Sequence, residues 1–448
     1  MKNKRQHYGF ITALTMIVGI VVGSGIFFKA DDVLKYTGGS IKLGILVFCI
    51  GAFSIIFGSL TLTELSMRTQ GSGGAVGYYE EFISPKIACG FGWFQVFAYY
   101  PTLIAVISWV AGLYTCLLFN LPSTLEMEIF IGLIYMVGIY GLNILSLRLG
   151  GYFQNLSTFI KLIPLLGIAL IGMFWGSPHP VLPENVELLS KSDVSLGWLA
   201  ALAPIAFSYD GWIITTSISN EVKNPKKNMT LALIFGPLIV LGVYLLYFIG
   251  LNNILGTEYI MSMGNSAVNT VGELLLGNQG SKMMLIFVII SVLGVVNGVT
   301  LGSIRMPKAL ADKKMIPYGE KIAKVHPKFE LSLGSCFTSL GVSMIWLVIH
   351  YITQKSGIIR TSDVSEVAIV FGYVLYMMLY IKVLKMKKDK MITSYFKGII
   401  CPIFGLLGSL IILVGGIVSN PIYGTIFLLF CGIIFMTGCL YYDRSSLS

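Results

Sequence analysis

Charge is scarce in this sequence. Only 12% of its 448 residues are Asp, Glu, Lys or Arg, about half of what a soluble domain normally carries. Histidine is scarcer still, with four scattered residues, His7, His179, His326 and His350. There is no HExxH, no paired Cys/His cluster and no GxxxxGK(S/T) loop. An intramembrane zinc protease or an ATP-driven pump therefore lacks its required parts. The seven cysteines (Cys49, Cys89, Cys116, Cys336, Cys401, Cys431 and Cys439) form no CxxC, and most lie in apolar runs. They read as small buried hydrophobes rather than disulfides or metal ligands, so neither metal nor cofactor is expected. No low-complexity segment and no soluble domain is visible.

What fills the chain instead is apolar sequence. The chain is 55% hydrophobic, with a mean hydropathy of +0.82. This composition describes an integral membrane protein surrounded by lipid. A crossing helix takes about 20 residues, which leaves room for about a dozen. Long continuous apolar runs speak for helices and against a β-barrel. The net charge of +10 would point to nucleic acid in a soluble protein; here it reads as the Lys/Arg bias of cytoplasmic loops, and no nucleic-acid partner is expected. The N-terminal MKNKRQHYGF has the charge of a signal-peptide n-region. The apolar segment behind it is too long and carries no small-residue cleavage site, so it is expected to stay as the first span.

Twelve candidate spans follow: 10–36, 41–67, 87–118, 127–147, 151–175, 196–220, 229–255, 283–312, 331–352, 363–385, 396–418 and 421–442. The longer loops are 176–195, 256–282 and 313–330. With the N-terminus inside, cytoplasmic segments hold 23 of the 31 basic residues. The outer segments hold seven, Lys29, Lys35, Lys42, Lys191, Lys282, Lys355 and Arg360, and Lys161 falls within a span. That asymmetry predicts an even number of spans with both termini cytoplasmic, in one polytopic membrane domain.

The first span carries VGIVVGSGIFF, Val18 to Phe28, with three glycines and a serine in mid-helix. Glycine weakens a helix by about 1 kcal/mol relative to alanine. Close helix packing would explain a pair of glycines alone. The sixth span, however, holds Ser208, Tyr209, Asp210 and Gly211 together in mid-membrane, where an Asp costs about 2.5–3.5 kcal/mol. Two polar, glycine-containing interruptions five helices apart mark the substrate site of a secondary transporter built from inverted repeats. A broken helix exposes N–H groups at one end and C=O groups at the other. The N–H end attracts a carboxylate, and the carbonyl end attracts an ammonium. A zwitterionic amino acid carries both. Gly23, Ser24 and Gly25 would offer N–H groups; Phe207, Ser208 and Asp210 would offer carbonyls. Glycine also lets the backbone approach a ligand closely.

These residues carry a family resemblance. VVGSGIFF resembles the first-helix motif of the amino acid–polyamine–organocation superfamily. FSYDGW, with SNEVKNPKKNM behind it, is similar to its sixth helix and following loop. GVVNGVTLGSIRMPKALADKKMIP resembles the eighth helix and GGYFQNLSTFIKLIPL the fifth. Within the superfamily the chain looks most like the bacterial L-type amino acid transporter group. The resemblance implies an all-α integral membrane protein of twelve transmembrane helices. It implies a LeuT-like five-plus-five inverted repeat with discontinuous helices 1 and 6. Residues 1–175 would form the first repeat, 196–385 the second, and 396–442 helices 11 and 12. The implied activity is sodium-independent antiport of small neutral L-amino acids across the cell membrane by alternating access, with serine/threonine exchange foremost. The carboxylate role passes to Val21, Gly23, Ser24 and Gly25, and the amine role to Phe207, Ser208 and Asp210. The pattern departs at Ile213 and Ile214, where some relatives carry a polar or aromatic residue after the Trp. Animal relatives link to a glycoprotein through a cysteine between spans 3 and 4; FNLPSTLEME has none, so no disulfide-linked heavy chain is expected.

Lys161 lies about ten residues into the fifth span, roughly 15 Å along a helix, which is deep for snorkelling. In the family a lysine at the matching position reaches the first-helix break and stands in for sodium. Lys161 is therefore the expected coupling residue. Tyr209 and Trp212 flank the sixth-span break and are candidates to occlude a ligand. Asn297 either bonds a neighbouring helix or lines the pocket. Glu64, Arg68, Glu221, Arg305 and Asp312 are helix-end charges or parts of a cytoplasmic gate. Trp93, Tyr99 and Tyr100 are expected at lipid or interface, and Gln70 to Phe82 as a flexible cytoplasmic hinge. Two other readings remain at this stage: a proton-coupled permease for cationic amino acids or polyamines, if Asp210 faces the pocket, and a channel or sensor, which would show rings of polar residues.

Overall fold

Membrane-length helices dominate the computed structural model, which describes residues 9–23, 25–69, 74–174, 180–184, 186–213, 222–329, 331–358 and 362–445. Among these residues ten helices are long and apolar enough to cross a membrane. They include Ile41–Ser66, Pro85–Phe119, Leu125–Leu145, Leu149–Phe174 and Lys227–Leu255 in the first half of the chain. Gly277–Ala311, Leu333–Lys355, Val364–Lys388, Phe396–Ser419 and Pro421–Ser445 follow. No β-strand forms among the described residues beyond one bridge between His326 and Leu331. The first and sixth apolar segments are not single helices, as described below.

The helix starts follow local chemistry. Ser40, Ser84, Thr124 and Ser332 each accept a hydrogen bond from an amide three residues on, the usual N-cap arrangement. Asp363 does the same for two amides, Ser365 at 2.8 Å and Glu366 at 3.1 Å. Helix crossings are close where side chains are small. A Cβ on Gly112 would lie 2.0 Å from the Glu128 carbonyl oxygen, so Pro85–Phe119 and Leu125–Leu145 touch backbone to backbone. This is how helices pack in lipid. Burial separates centre from rim: the most apolar stretch of Pro85–Phe119 is 72% buried within the protein, that of Pro421–Ser445 only 28%.

Two expectations are corrected. Residues 256–282, expected as a loop, form the helix Thr257–Met263 and the start of the helix at Ala267. The chain reverses at Gly277, whose φ is +63°, and a Cβ on Gly272 would lie 2.5 Å from the Gly280 carbonyl oxygen. Polar residues and glycines there signalled a loop, but they pack a tight helical hairpin. The stretch expected as a cytoplasmic hinge contains the helix Gly74–Phe82, with Val76, Tyr78 and Tyr79 buried; Lys313 pairs with Glu80 on it. Its apolar face has a core to pack against, which outweighs its glycines. Residues 70–73 lie outside the described residues.

Candidate functional site

The first apolar segment runs as a helix over Phe10–Val21 and stops at Val22, whose ψ of 99° is extended. It resumes as Gly25–Phe28 and Ala30–Tyr36. The sixth enters through a 3-10 turn at Ser195–Ala201, continues as the helix Leu202–Ser208, and is broken at Gly211, whose φ is +94°. The two interruptions face each other. A Cβ on Gly25 would sit 2.7 Å from the Ser208 Cα and 3.2 Å from the Phe207 ring. Only glycine permits this approach, which is the physical reason for a glycine at this point in a lipid-bound helix.

A narrow cavity of ≈ 30 Å³ lies between the breaks. Val21, Gly23 and Gly25 line it from the first segment, and Phe207, Ser208, Asp210 and Gly211 from the sixth. Leu103, Ile107, Val295 and Val299 close its sides. Six residues singled out in the sequence thus meet around one space. Ser24 lies outside the described residues. Tyr209 and Trp212 are fully buried but line other contacts. The Tyr209 hydroxyl donates to the Phe48 carbonyl at 3.2 Å, and Trp212 packs edge-on against Tyr376 at 5.7 Å.

Asp210 lines the cavity, and its carboxylate accepts a hydrogen bond from the Tyr99 hydroxyl at 2.6 Å. Tyr99 is therefore not a lipid or interface residue as expected; it and Tyr100 are buried. Trp93 donates to the Met315 carbonyl at 2.8 Å. Lys161 is fully buried, and its ammonium donates to the Gly19 carbonyl, just before the first break. Asn297 does not line the cavity. It accepts from Asn143 at 2.8 Å and donates to the Gly150 carbonyl at 2.9 Å, tying neighbouring helices together. At the end of the Ile41–Ser66 helix, Glu64 pairs with Arg68 at 2.6 Å and Lys397 at 3.6 Å. Asp312 pairs with Lys308 at 2.5 Å. Glu221 lies outside the described residues.

Two features escaped the sequence. Lys29, counted there among outer loop charges, is buried with three acids: Glu366 at 2.5 Å, Asp363 at 2.9 Å and Asp32 at 3.6 Å. Its ammonium also lies 5.5 Å from the centroid of the Phe207 ring, so this cluster sits against the cavity wall. The readable signal was a pair of acids, Asp363 and Glu366, heading an apolar span. Tyr244, in the helix Pro225–Leu255, has its hydroxyl 2.9 Å from the Val21 carbonyl and 2.8 Å from the Ser208 carbonyl. Nothing in its local sequence marked it.

Chemically, the described residues of the site offer the ends of two broken helices and one carboxylic acid, Asp210, and among them there is no reactive nucleophile–base pair. Among the described residues no cluster of His, Cys, Asp and Glu is arranged to hold a metal ion. The arrangement suits binding and release of a small dipolar molecule.

Comparison with known proteins agrees with this reading. Residues 8–443 match the family model described as amino acid permease. A serine/threonine exchanger of Bacillus subtilis is 29% identical over 420 residues, covering 93% of this chain and 92% of its own. The human large neutral amino acids transporter small subunit 2 is 26% identical over 438 residues, covering 93% of this chain and 77% of its own. The human cystine/glutamate transporter is 28% identical over 346 residues, or 75% and 67% of the two chains.

Proposed function

The chain belongs to the amino acid permease family of the amino acid–polyamine–organocation superfamily, and on that premise we propose that it is a sodium-independent exchanger of small neutral L-amino acids, serine and threonine foremost. Its relatives are transporters and not enzymes, and it is a multi-pass membrane protein. The observation that carries the proposal is the meeting of two interrupted helices at Gly25 and Ser208, where a Cβ on Gly25 would lie 2.7 Å from the Ser208 Cα. The relative named as a serine/threonine exchanger, aligned over 93% of the chain, supports the choice of substrate.

In this reading the first and sixth segments are the discontinuous helices of a twelve-span, five-plus-five inverted repeat. Residues 1–175 and 196–385 are the repeats, 396–442 holds the last two helices, and both termini are cytoplasmic at the cell membrane. The amides around Gly23, Ser24 and Gly25 receive the substrate carboxylate, and the carbonyls of Phe207, Ser208 and Asp210 receive its ammonium. The cavity must widen as the half-helices part, which couples binding to reorientation. The Lys161 ammonium on the Gly19 carbonyl supplies a fixed positive charge at the first break, where a sodium ion would otherwise compensate exposed carbonyls. The loop between the third and fourth spans has no cysteine, so no disulfide-linked heavy chain is part of the proposal.

Counterflow tests it. Proteoliposomes preloaded with unlabelled serine should take up labelled serine far faster than empty ones, unchanged when choline replaces sodium. Uptake indifferent to internal serine would refute exchange. A second reading, a proton-coupled permease for cationic amino acids or polyamines, draws on Asp210, an acidic residue lining the cavity. It predicts uptake driven by a pH gradient and competed by lysine or putrescine rather than serine.

A further inference from the structure

A larger, polar pocket opens where the end of the helix Ile41–Ser66 meets the start of Phe396–Ser419. It holds ≈ 380 Å³, the volume of about a dozen water molecules. Glu64 and Arg68 line it from the first helix, and Thr393, Ser394 and Lys397 from the turn into the second. Glu64 is the one acid among the lining residues, and it is shared: Arg68 lies 2.6 Å from one of its oxygens and Lys397 3.6 Å from the other. A third cation, Lys387, donates to the Thr393 carbonyl at 2.8 Å. Three positive groups thus surround one carboxylate, and they have donors to spare. The Arg68 guanidinium has five N–H groups and spends three, on the Glu64 carboxylate and carbonyl and on the Met391 carbonyl. Among the described residues the Lys397 ammonium has no charged partner nearer than Glu64. The Thr393 and Ser394 hydroxyls add two further donors.

A guanidinium, an ammonium and hydroxyls around one open space suit a phosphate oxyanion. What adjoins the pocket says which phosphate. Phe57 lies seven residues before Glu64, and Phe404 seven after Lys397, so both sit about 10 Å toward mid-span from the ion pair. Their rings meet at 5.0 Å, and Phe53 joins them at 4.5 and 5.3 Å. Phe53 and Phe404 are exposed on the outside of the bundle, and Tyr395 and Phe396 are exposed at the mouth of the pocket, as aromatic residues are at a membrane–water boundary. A free phosphate would use the pocket alone; a phospholipid uses the pocket and the aromatic furrow together. We propose that this pocket binds the phosphate of an anionic phospholipid, with Arg68 and Lys397 on the headgroup and an acyl chain along Phe57 and Phe404. The proposed orientation of the spans places this lipid in the cytoplasmic leaflet; the binding chemistry does not depend on it. A bound headgroup bridges Arg68 and Lys397, and so ties the ends of two spans that are far apart in sequence.

Native mass spectrometry of the full chain in detergent tests this without any transport step, so its result stands apart from the exchange reading. The protein is titrated with dioleoyl phosphatidylglycerol and, separately, with dioleoyl phosphatidylcholine, which has the same chains and phosphate but carries a cation. Wild type should bind the anionic lipid about tenfold more tightly, the scale of one charge-assisted hydrogen bond. Lys397→Gln should erase that preference. Lys324→Gln is the matched control: it removes one exposed charge between the eighth and ninth spans and should keep the preference. No preference in wild type, or an equal loss in both variants, would overturn the site, since general attraction to positive charge would then account for the binding. Inorganic phosphate in millimolar excess should leave the phosphatidylglycerol adducts in place; displacement by phosphate would overturn the lipid as occupant. Should Lys397→Gln not fold, Thr393→Asp sets a negative charge on the exposed wall of the pocket and should erase the preference in the same way; retention of the full preference there would count against the site.

Discussion

Lys29→Met removes a buried positive charge and keeps most of the side chain's length. In the structure the Lys29 side chain is 5% exposed, that of Asp363 3% and that of Glu366 0%. Methionine would leave these two carboxylates facing each other without a counter-charge. Asp363 keeps its bonds to the Ser365 and Glu366 amides, and Glu366 keeps the Ser362 hydroxyl at 2.5 Å on one oxygen. Its other oxygen has only the Lys29 ammonium, at 2.5 Å. Removing one partner of such a pair costs about 3–5 kcal/mol. At roughly 2–4 °C per kcal/mol, the unfolding midpoint in detergent should fall by about 10 °C. Thermal unfolding followed by tryptophan fluorescence measures it. Lys29→Met with Glu366→Gln should recover more than half of the loss, because the orphaned charge is gone. A single variant within about 2 °C of wild type, or a double variant no better than the single, would refute the argument that Lys29 compensates buried acids.

Three further outcomes are expected. Lys161→Ala deletes the charged donor to Gly19; at about 1.5–3 kcal/mol for such a bond, serine exchange should fall roughly ten- to a hundredfold, and wild-type rates would contradict a coupling role. Gly25→Ala forces a Cβ to within 2.7 Å of the Ser208 Cα and should abolish exchange. Gly138→Ala, where a Cβ meets nothing within 4 Å, should leave exchange intact, so equal effects of the two would contradict the close approach. Asp210→Asn keeps an acceptor for Tyr99 and removes only the charge; serine exchange should stay within about threefold of wild type, and a loss with retained folding would favour the cationic-substrate reading.

The apolar spans were legible because lipid imposes one rule along the whole chain, and their ends fell close to capping residues such as Ser40 and Asp363. The two interruptions were legible because glycine and Asp210 are costly in mid-helix. What failed were inferences from local polarity. Residues 256–282 read as a loop because glycines and polar residues interrupt the apolar sequence there, yet the smallness of Gly272, where a Cβ would lie 2.5 Å from the Gly280 carbonyl oxygen, closes a hairpin. Tyr99 read as an interface aromatic because aromatic residues are common there; its hydroxyl instead meets an acid 111 positions away. Lys29 read as a loop charge for the same reason, since its partners Asp363 and Glu366 lie far along the chain. Pairings across such separations are products of the tertiary fold, and no periodicity records them.

The account stands on a substrate held by both of its charged ends between Gly23–Gly25 and Phe207–Asp210. Competition of labelled serine exchange by serinamide, which lacks the carboxylate, and by N-acetylserine, which lacks the ammonium, tests this directly. Each derivative should compete at least about a hundredfold more weakly than serine, since each leaves one set of broken-helix dipoles without its ionic partner. If either derivative competes as well as serine does, the two breaks do not grip a zwitterion and the account is wrong.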